Sequence, residues 1–161
     1  MKKIAAFLWA IILVAAICGC SHAAPEPTPE PTPEPAASQE ECDEIAFTIQ
    51  RVCESDVSVS AYCHGQDIDI YVTIDPIILK YQFAINLDAS LPVAKDALEE
   101  RGFSLGEFSV IGAYYENGEK STSISWVSED FETGFFVDAK NGGVIPNATV
   151  DKVFEYCEYP E

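Results

Sequence analysis

From Ser38 onward the apolar residues recur first at helical spacing and then at every second place. Cys42, Ile45, Ile49, Val52 and Cys53 fall on one helical stripe, and Ser38 followed by Glu41 is a capping-box signature, which predicts a helix over 39–54. Val57, Val59, Ala61 and Cys63 then alternate with polar residues, and after His64-Gly65-Gln66 so do Ile68, Ile70, Val72 and Ile74. Both runs read as half-buried strands. Asp75-Pro76 signals a turn. Ile77, Leu79, Tyr81, Phe83, Ile85 and Leu87 continue at period two, which predicts a third strand over 77–87 and leaves a helix as the competing reading.

Leu91 to Arg101 has helical character and stops at Gly102. Strands are predicted at 107–115 and 120–128, joined through Asn117-Gly118, a hairpin signal, and at 134–138, ended by Lys140-Asn141-Gly142-Gly143. Val150, Val153, Phe154 and Cys157 form the apolar stripe of a closing helix over 148–157. The expected order is therefore α-βββ-α-βββ-α, an α+β fold with helices packed on an antiparallel sheet. It invites a reading as a tandem repeat with units 38–90 and 91–145. "INLDA" at 85–89 and "FFVDA" at 135–139 would then be equivalent.

The residues before this domain have another pattern. Lys2 and Lys3 precede an uncharged apolar run from Ile4 to Ile17, too short for a bilayer span of roughly 20 residues but right for a secretory signal. Ile17-Cys18-Gly19-Cys20 resembles the lipobox of bacterial lipoproteins. That resemblance implies a signal peptide over 1–19, acylation of Cys20, and a chain held on the extracytoplasmic side of the cell membrane by its lipid. Pro25, Pro27, Pro29, Pro31, Pro33 and Pro35 alternate with Glu and Thr. Residues 20–37 then read as the lipidated cysteine followed by a polyproline II spacer, roughly 35 Å long over its eleven-residue proline repeat. Residues 38–161 form one domain.

Charge narrows the partners. The chain holds 27 acidic against nine basic residues, net −18, and loss of Lys2 and Lys3 with a signal would make it more acidic. Nucleic acid is an unfavourable partner, because its binding needs cations to neutralise phosphates. A protein or peptide with a basic surface, or a small cationic ligand, is electrostatically compatible. With Cys20 acylated, Cys42, Cys53, Cys63 and Cys157 remain, an even set that suggests disulfides in an exported domain. Cys42 and Cys53 on one helix would stand about 16 Å apart, beyond disulfide reach. That leaves 42–63 with 53–157, or 42–157 with 53–63.

Catalytic signatures are few. His64 beside Cys63 is a conceivable nucleophile pair but reads more simply as a turn histidine. Cys42, Cys53, Cys63 and His64 lack the close spacing of structural zinc. Asp67 and Asp69 lack the glycine of a calcium loop. No phosphate-cradling loop or nucleophile elbow occurs. No cofactor and no metal are expected, and no catalytic residue is assigned; a small envelope enzyme is the weakest reading.

"ALEERGF" at 97–103, "YYENGEKSTSISW" at 114–126 and "GFFVDAKNGGVI" at 134–145 resemble the PepSY domain pattern, carried by Asp138, Ala139, Gly142 or Gly143, and Ile145. The resemblance implies a non-enzymatic exported module that restrains or regulates a peptidase or another envelope partner. Phe135 and Phe136 must point to opposite faces, so one of them stays exposed unless a helix covers each side. A contact surface around Trp126, Phe136 and Tyr115 is expected on the second strand set.

Overall fold

A computed structural model describes residues 36–54 and 56–158. The signal, lipobox and proline-spacer expectations, Cys20 among them, fall outside the described residues except for 36 and 37. Within those residues the chain forms three helices, α1 (Gln39–Gln50), α2 (Lys80–Arg101) and α3 (Val150–Glu158), and six strands. The strands are β1 (Val57–His64), β2 (Asp67–Ile74), β3 (Ser104–Glu116), β4 (Glu119–Ser128), β5 (Gly134–Asp138) and β6 (Gly143–Ala148). They form one sheet in chain order, β1-β2-β3-β4-β5-β6. The α+β class read from the sequence stands.

α1 starts at the expected cap. The Glu41 amide donates to Ser38 Oγ at 3.3 Å, and the Ser38 amide donates to the Glu41 carboxylate at 2.8 Å. Its Cys42, Ile45, Ala46 and Ile49 stripe is buried. It ends at Gln50, so Cys53 lies in the turn beyond it.

The segment 77–87 is not a strand. After Asp75-Pro76, the Ile77 amide donates to Ala113 O at 2.8 Å and pins the connection to β3. Gln82 Oε1 then accepts from the amides of Ile78 and Leu79 and caps α2. Phe83, Leu87, Ser90, Ala94, Ala97 and Leu98 are buried at helical intervals, whereas Leu79 and Tyr81 are exposed. The period-two run contained the i, i+4 pair Phe83 and Leu87, and burial of that pair with the apolar stripe downstream is what the chain follows. The helix even runs through Pro92, at the loss of one backbone hydrogen bond.

This changes the sheet. With α2 as a crossover, β2 and β3 pair in parallel, and the other four pairings are antiparallel. The sheet is mixed rather than wholly antiparallel, with two strands before α2 and four after it. β6, absent from the sequence reading, supplies the sixth strand. It carries Pro146, which an edge strand tolerates. "INLDA" lies on α2 and "FFVDA" on β5, so the two matches do not occupy equivalent places.

The Asn117-Gly118 turn has positive φ at both residues, 54° and 84°, as a type I′ hairpin requires. One sheet face carries Ile68, Ile70, Val72, Phe108, Val110, Ile124, Trp126 and Phe136 into a common core with the helices. At the β1 edge, Gln50 reaches across from α1. Its Nε2 donates to Val57 O at 2.8 Å and its Oε1 accepts from the Val59 amide at 2.9 Å. Gln39 Nε2 adds a longer bond to Ala61 O. Two side-chain amides thus occupy backbone positions that a neighbouring strand would use.

Candidate binding surface

The other sheet face has no helix over it among the described residues. Register aligns Thr73, Ile111, Ser125, Val137 and Val144 in one row across it, and Tyr71, Ser109, Val127 and Phe135 in the next. Ile111, Val127 and Val137 are half-buried by their neighbours; Phe135 and Val144 stand 52% and 57% exposed. Ser109 is buried on this face because it is small and sits between Tyr71 and Val127. The result is an apolar strip on β3 to β6 that ends at Phe135 and Val144.

A shallow groove runs beside Phe135, lined also by Val127, Thr133 and Pro146, with Glu129 and Asp130 on its lip. The lip is an ordered loop. Asp130 Oδ1 accepts from the amides of Glu132 and Thr133, both at 2.8 Å, and Ser128 Oγ donates to Thr133 O at 2.7 Å. The Thr133 and Glu132 amides hold the Asp130 carboxyl down at about 2, so the groove keeps this negative charge over almost any working pH.

A second acidic and aromatic corner lies at the β1–β2 end. Tyr62 and Tyr71 pack edge to face at 5.9 Å. Burial, then Glu107 and Asp69, raise the Tyr71 pKa. His64 Nε2 is 3.2 Å from Asp69 Oδ2, so the histidine side chain is engaged by a carboxylate on the neighbouring strand. The Cys63 thiol instead points towards Gln39 Oε1 at 3.9 Å.

The proposed contact aromatics divide between the faces. Trp126 and Phe136 are fully buried, which removes them as direct contacts. The β4–β5 register pairs them with each other on the helix-covered side. Trp126 packs so closely over Gly134 that the indole occupies the space a Cβ there would need. Tyr115 is 41% exposed at the end of β3, and a hydrogen bond to Asp75 raises its pKa. Phe135, one residue before Phe136, is the aromatic that faces out. The period-two rule already separated these neighbours; what was missing was which side the helices take.

Asp138, quoted for the PepSY-like turn, is fully buried. Its Oδ1 accepts from the amides of Lys140 and Asn141, and its Oδ2 accepts from Asn141 Nδ2 at 2.8 Å and Tyr156 Oη at 3.2 Å. The Tyr114 hydroxyl is buried nearby without a well-formed hydrogen bond, and burial, then Asp138, push its pKa up. A carboxylate with this many donors braces the β5–β6 hairpin against α3. Gly142 has φ 70°, and the Tyr156 ring occupies the space a Gly143 Cβ would need. The motif is thus absorbed by the fold.

Of the four cysteines, Cys42 and Cys63 lie side by side, close to disulfide distance, as thiols. Neither 53–157 nor 53–63 is so placed. Burial raises the Cys53 thiol to about 11 and the Cys157 thiol to about 12. Among the described residues, no cluster of three His, Cys, Asp or Glu is placed to hold a metal ion, and no helix is long and apolar enough to cross a membrane. No protein-family model matches the chain, and neither does any curated protein or solved structure.

Proposed function

We propose that this chain is a lipid-anchored, extracytoplasmic binding module that acts by contact rather than by chemistry. The observation that carries the reading is the uncovered sheet face, with Phe135 and Val144 raised above an apolar strip and Glu129 and Asp130 beside Phe135. An exposed apolar patch rimmed by polar residues marks an interaction site. The acidic lip, the Asp69 and Glu107 corner and the net charge of −18 favour a partner with a basic surface. Cys20 and the proline spacer supply the tether and the reach. The PepSY-like resemblance of the second half suggests the kind of partner, a peptidase or an envelope protein under restraint.

The test is site-specific photo-crosslinking in intact cells, with the crosslinker at position 135, at position 144 and, as a control, at exposed Glu40. A discrete protein adduct from 135 and 144 but not from 40, reduced at high salt, is the expected result. Absence of any adduct at 135 and 144, or the same adducts from position 40, would overturn the assignment of this face.

A further inference from the structure

Cys42 lies in the first turn of α1 and is fully buried; Cys63 lies near the end of β1 and is partly exposed. Their thiols are close enough for one to hydrogen-bond to the other. Both elements are fixed against each other around the pair. The capping box anchors the start of α1, the Ala37 amide donates to Gly65 O at 2.8 Å, and Gln39 and Gln50 bridge α1 to the β1 backbone. Two thiols held together by flanking bonds on both sides form a pre-organised pair. The contrast with the other two is sharp. Cys53 bonds its own helix end at Ile49 O, and Cys157 sits in α3 near Lys80 and Asp138.

We propose that Cys42 and Cys63 become joined as a disulfide by exchange with an external disulfide, and that Cys53 and Cys157 stay thiols. The partly exposed Cys63 enters first. It gives its proton to solvent, and its thiolate attacks one sulfur of the incoming disulfide, releasing the other sulfur as a thiolate that takes up a proton. Cys42 then loses its proton and attacks Cys63 Sγ, releasing the second reagent sulfur, which is protonated in turn. Two protein thiols are oxidised and one external disulfide is reduced to two thiols. Burial, then the Cys63 neighbour, raises the Cys42 thiol to about 12, which disfavours Cys42 as the point of entry. The product staples α1 to the edge strand and fixes the glutamine side chains over its backbone. This goes beyond the binding reading and does not depend on it.

The experiment uses the purified full chain, reduced and then exposed to oxidised glutathione, followed by alkylation, digestion without reductant and mass spectrometry. The expected result is a cross-linked peptide pair containing Cys42 and Cys63, alkylated Cys53 and Cys157, and a Tm higher by roughly 10 °C than the reduced protein. Cys42→Ser should trap a glutathione adduct on Cys63, whereas Cys63→Ser should leave Cys42 unmodified. A Cys53→Ala/Cys157→Ala double variant should keep both the link and the Tm gain. Links through Cys53 or Cys157 in similar yield, or alkylation of Cys42 and Cys63 after oxidation, would overturn the proposal.

Discussion

Trp126 donates its indole N–H to the carbonyl of Ala148 at 2.9 Å, across the two strands that follow it. That bond ties the C-terminal part of β4 to the last residue of β6, two residues before α3, and it is buried. It also identifies the inner face of the second strand set, because the buried residues of β4 and β5, among them Ile124, Phe136 and Asp138, share Trp126's parity.

Trp126 and Phe135 should therefore respond in opposite ways to truncation. Trp126→Ala removes a fully buried ring and its hydrogen bond, at an expected cost of about 4 kcal/mol in stability. Phe135→Ala removes a half-exposed ring and should cost under about 1 kcal/mol. Urea unfolding separates stability from contact. Crosslinking through position 144 should be weakened by Phe135→Ala at unchanged midpoint. A large loss of stability in Phe135→Ala would place that ring in the core instead.

Asp138 should prove a structural brace. Asp138→Ala leaves two backbone amides, the Asn141 side chain and the Tyr156 hydroxyl without their acceptor, at about 3 kcal/mol. Tyr156→Phe should cost about 1 kcal/mol. In a double-mutant cycle the two effects should fall short of additivity, since they share one hydrogen bond. Full additivity in denaturant titrations would show that the bond contributes nothing.

The legible parts of the fold were those where local chemistry and burial agree. Ser38 with Glu41 opened a helix, Asn117-Gly118 made the expected turn, and the alternation in 57–63 and 67–74 became a hairpin. The segment 77–87 misled because alternate apolar residues also include i, i+4 pairs, and only tertiary burial decides between them. β6 was hidden by Pro146 and the glycines before it, which look like loop until β5 offers an edge. At the site, alternation separated Phe135 from Phe136, but the choice of face depends on where α2 and α3 dock, and no short stretch encodes that.

The Gln50 bridge over β1 should protect that edge. Gln50→Ala frees Val57 O and the Val59 amide for another strand. The variant should keep a similar urea midpoint at low concentration and show more sheet-rich aggregate on prolonged incubation than the wild type. Equal aggregation would assign the bridge to α1 packing alone.

The proposed anchor is Cys20. Cys20→Ala should move the protein from the membrane fraction to the soluble exported fraction, since acyl chains contribute about 0.8 kcal/mol per buried CH₂. Unchanged partition of the variant would remove the lipoprotein reading.

Acid should loosen the Phe135 groove through Asp130. Its carboxyl is held at about 2, against 3.8 for an unperturbed aspartate, by the Thr133 and Glu132 amides. A depressed folded pKa means that the stabilisation is fully present above the unfolded value and is lost as pH falls through the folded one. The window therefore runs from about pH 4 down to about pH 2. The carboxylate is exposed to water, so the effect is a modest one, read as a difference in Tm between wild type and Asp130→Ala. That difference should be constant from pH 7 to about pH 5, shrink between pH 4 and pH 2, and vanish below. Glu41, whose carboxyl is also lowered by its bonds to Ser38, is common to both proteins and cancels in the difference. A gap that persists undiminished at pH 2 would mean that the Asp130 side chain holds the loop through bonds that do not need its charge, such as the one it accepts from the Ser128 hydroxyl.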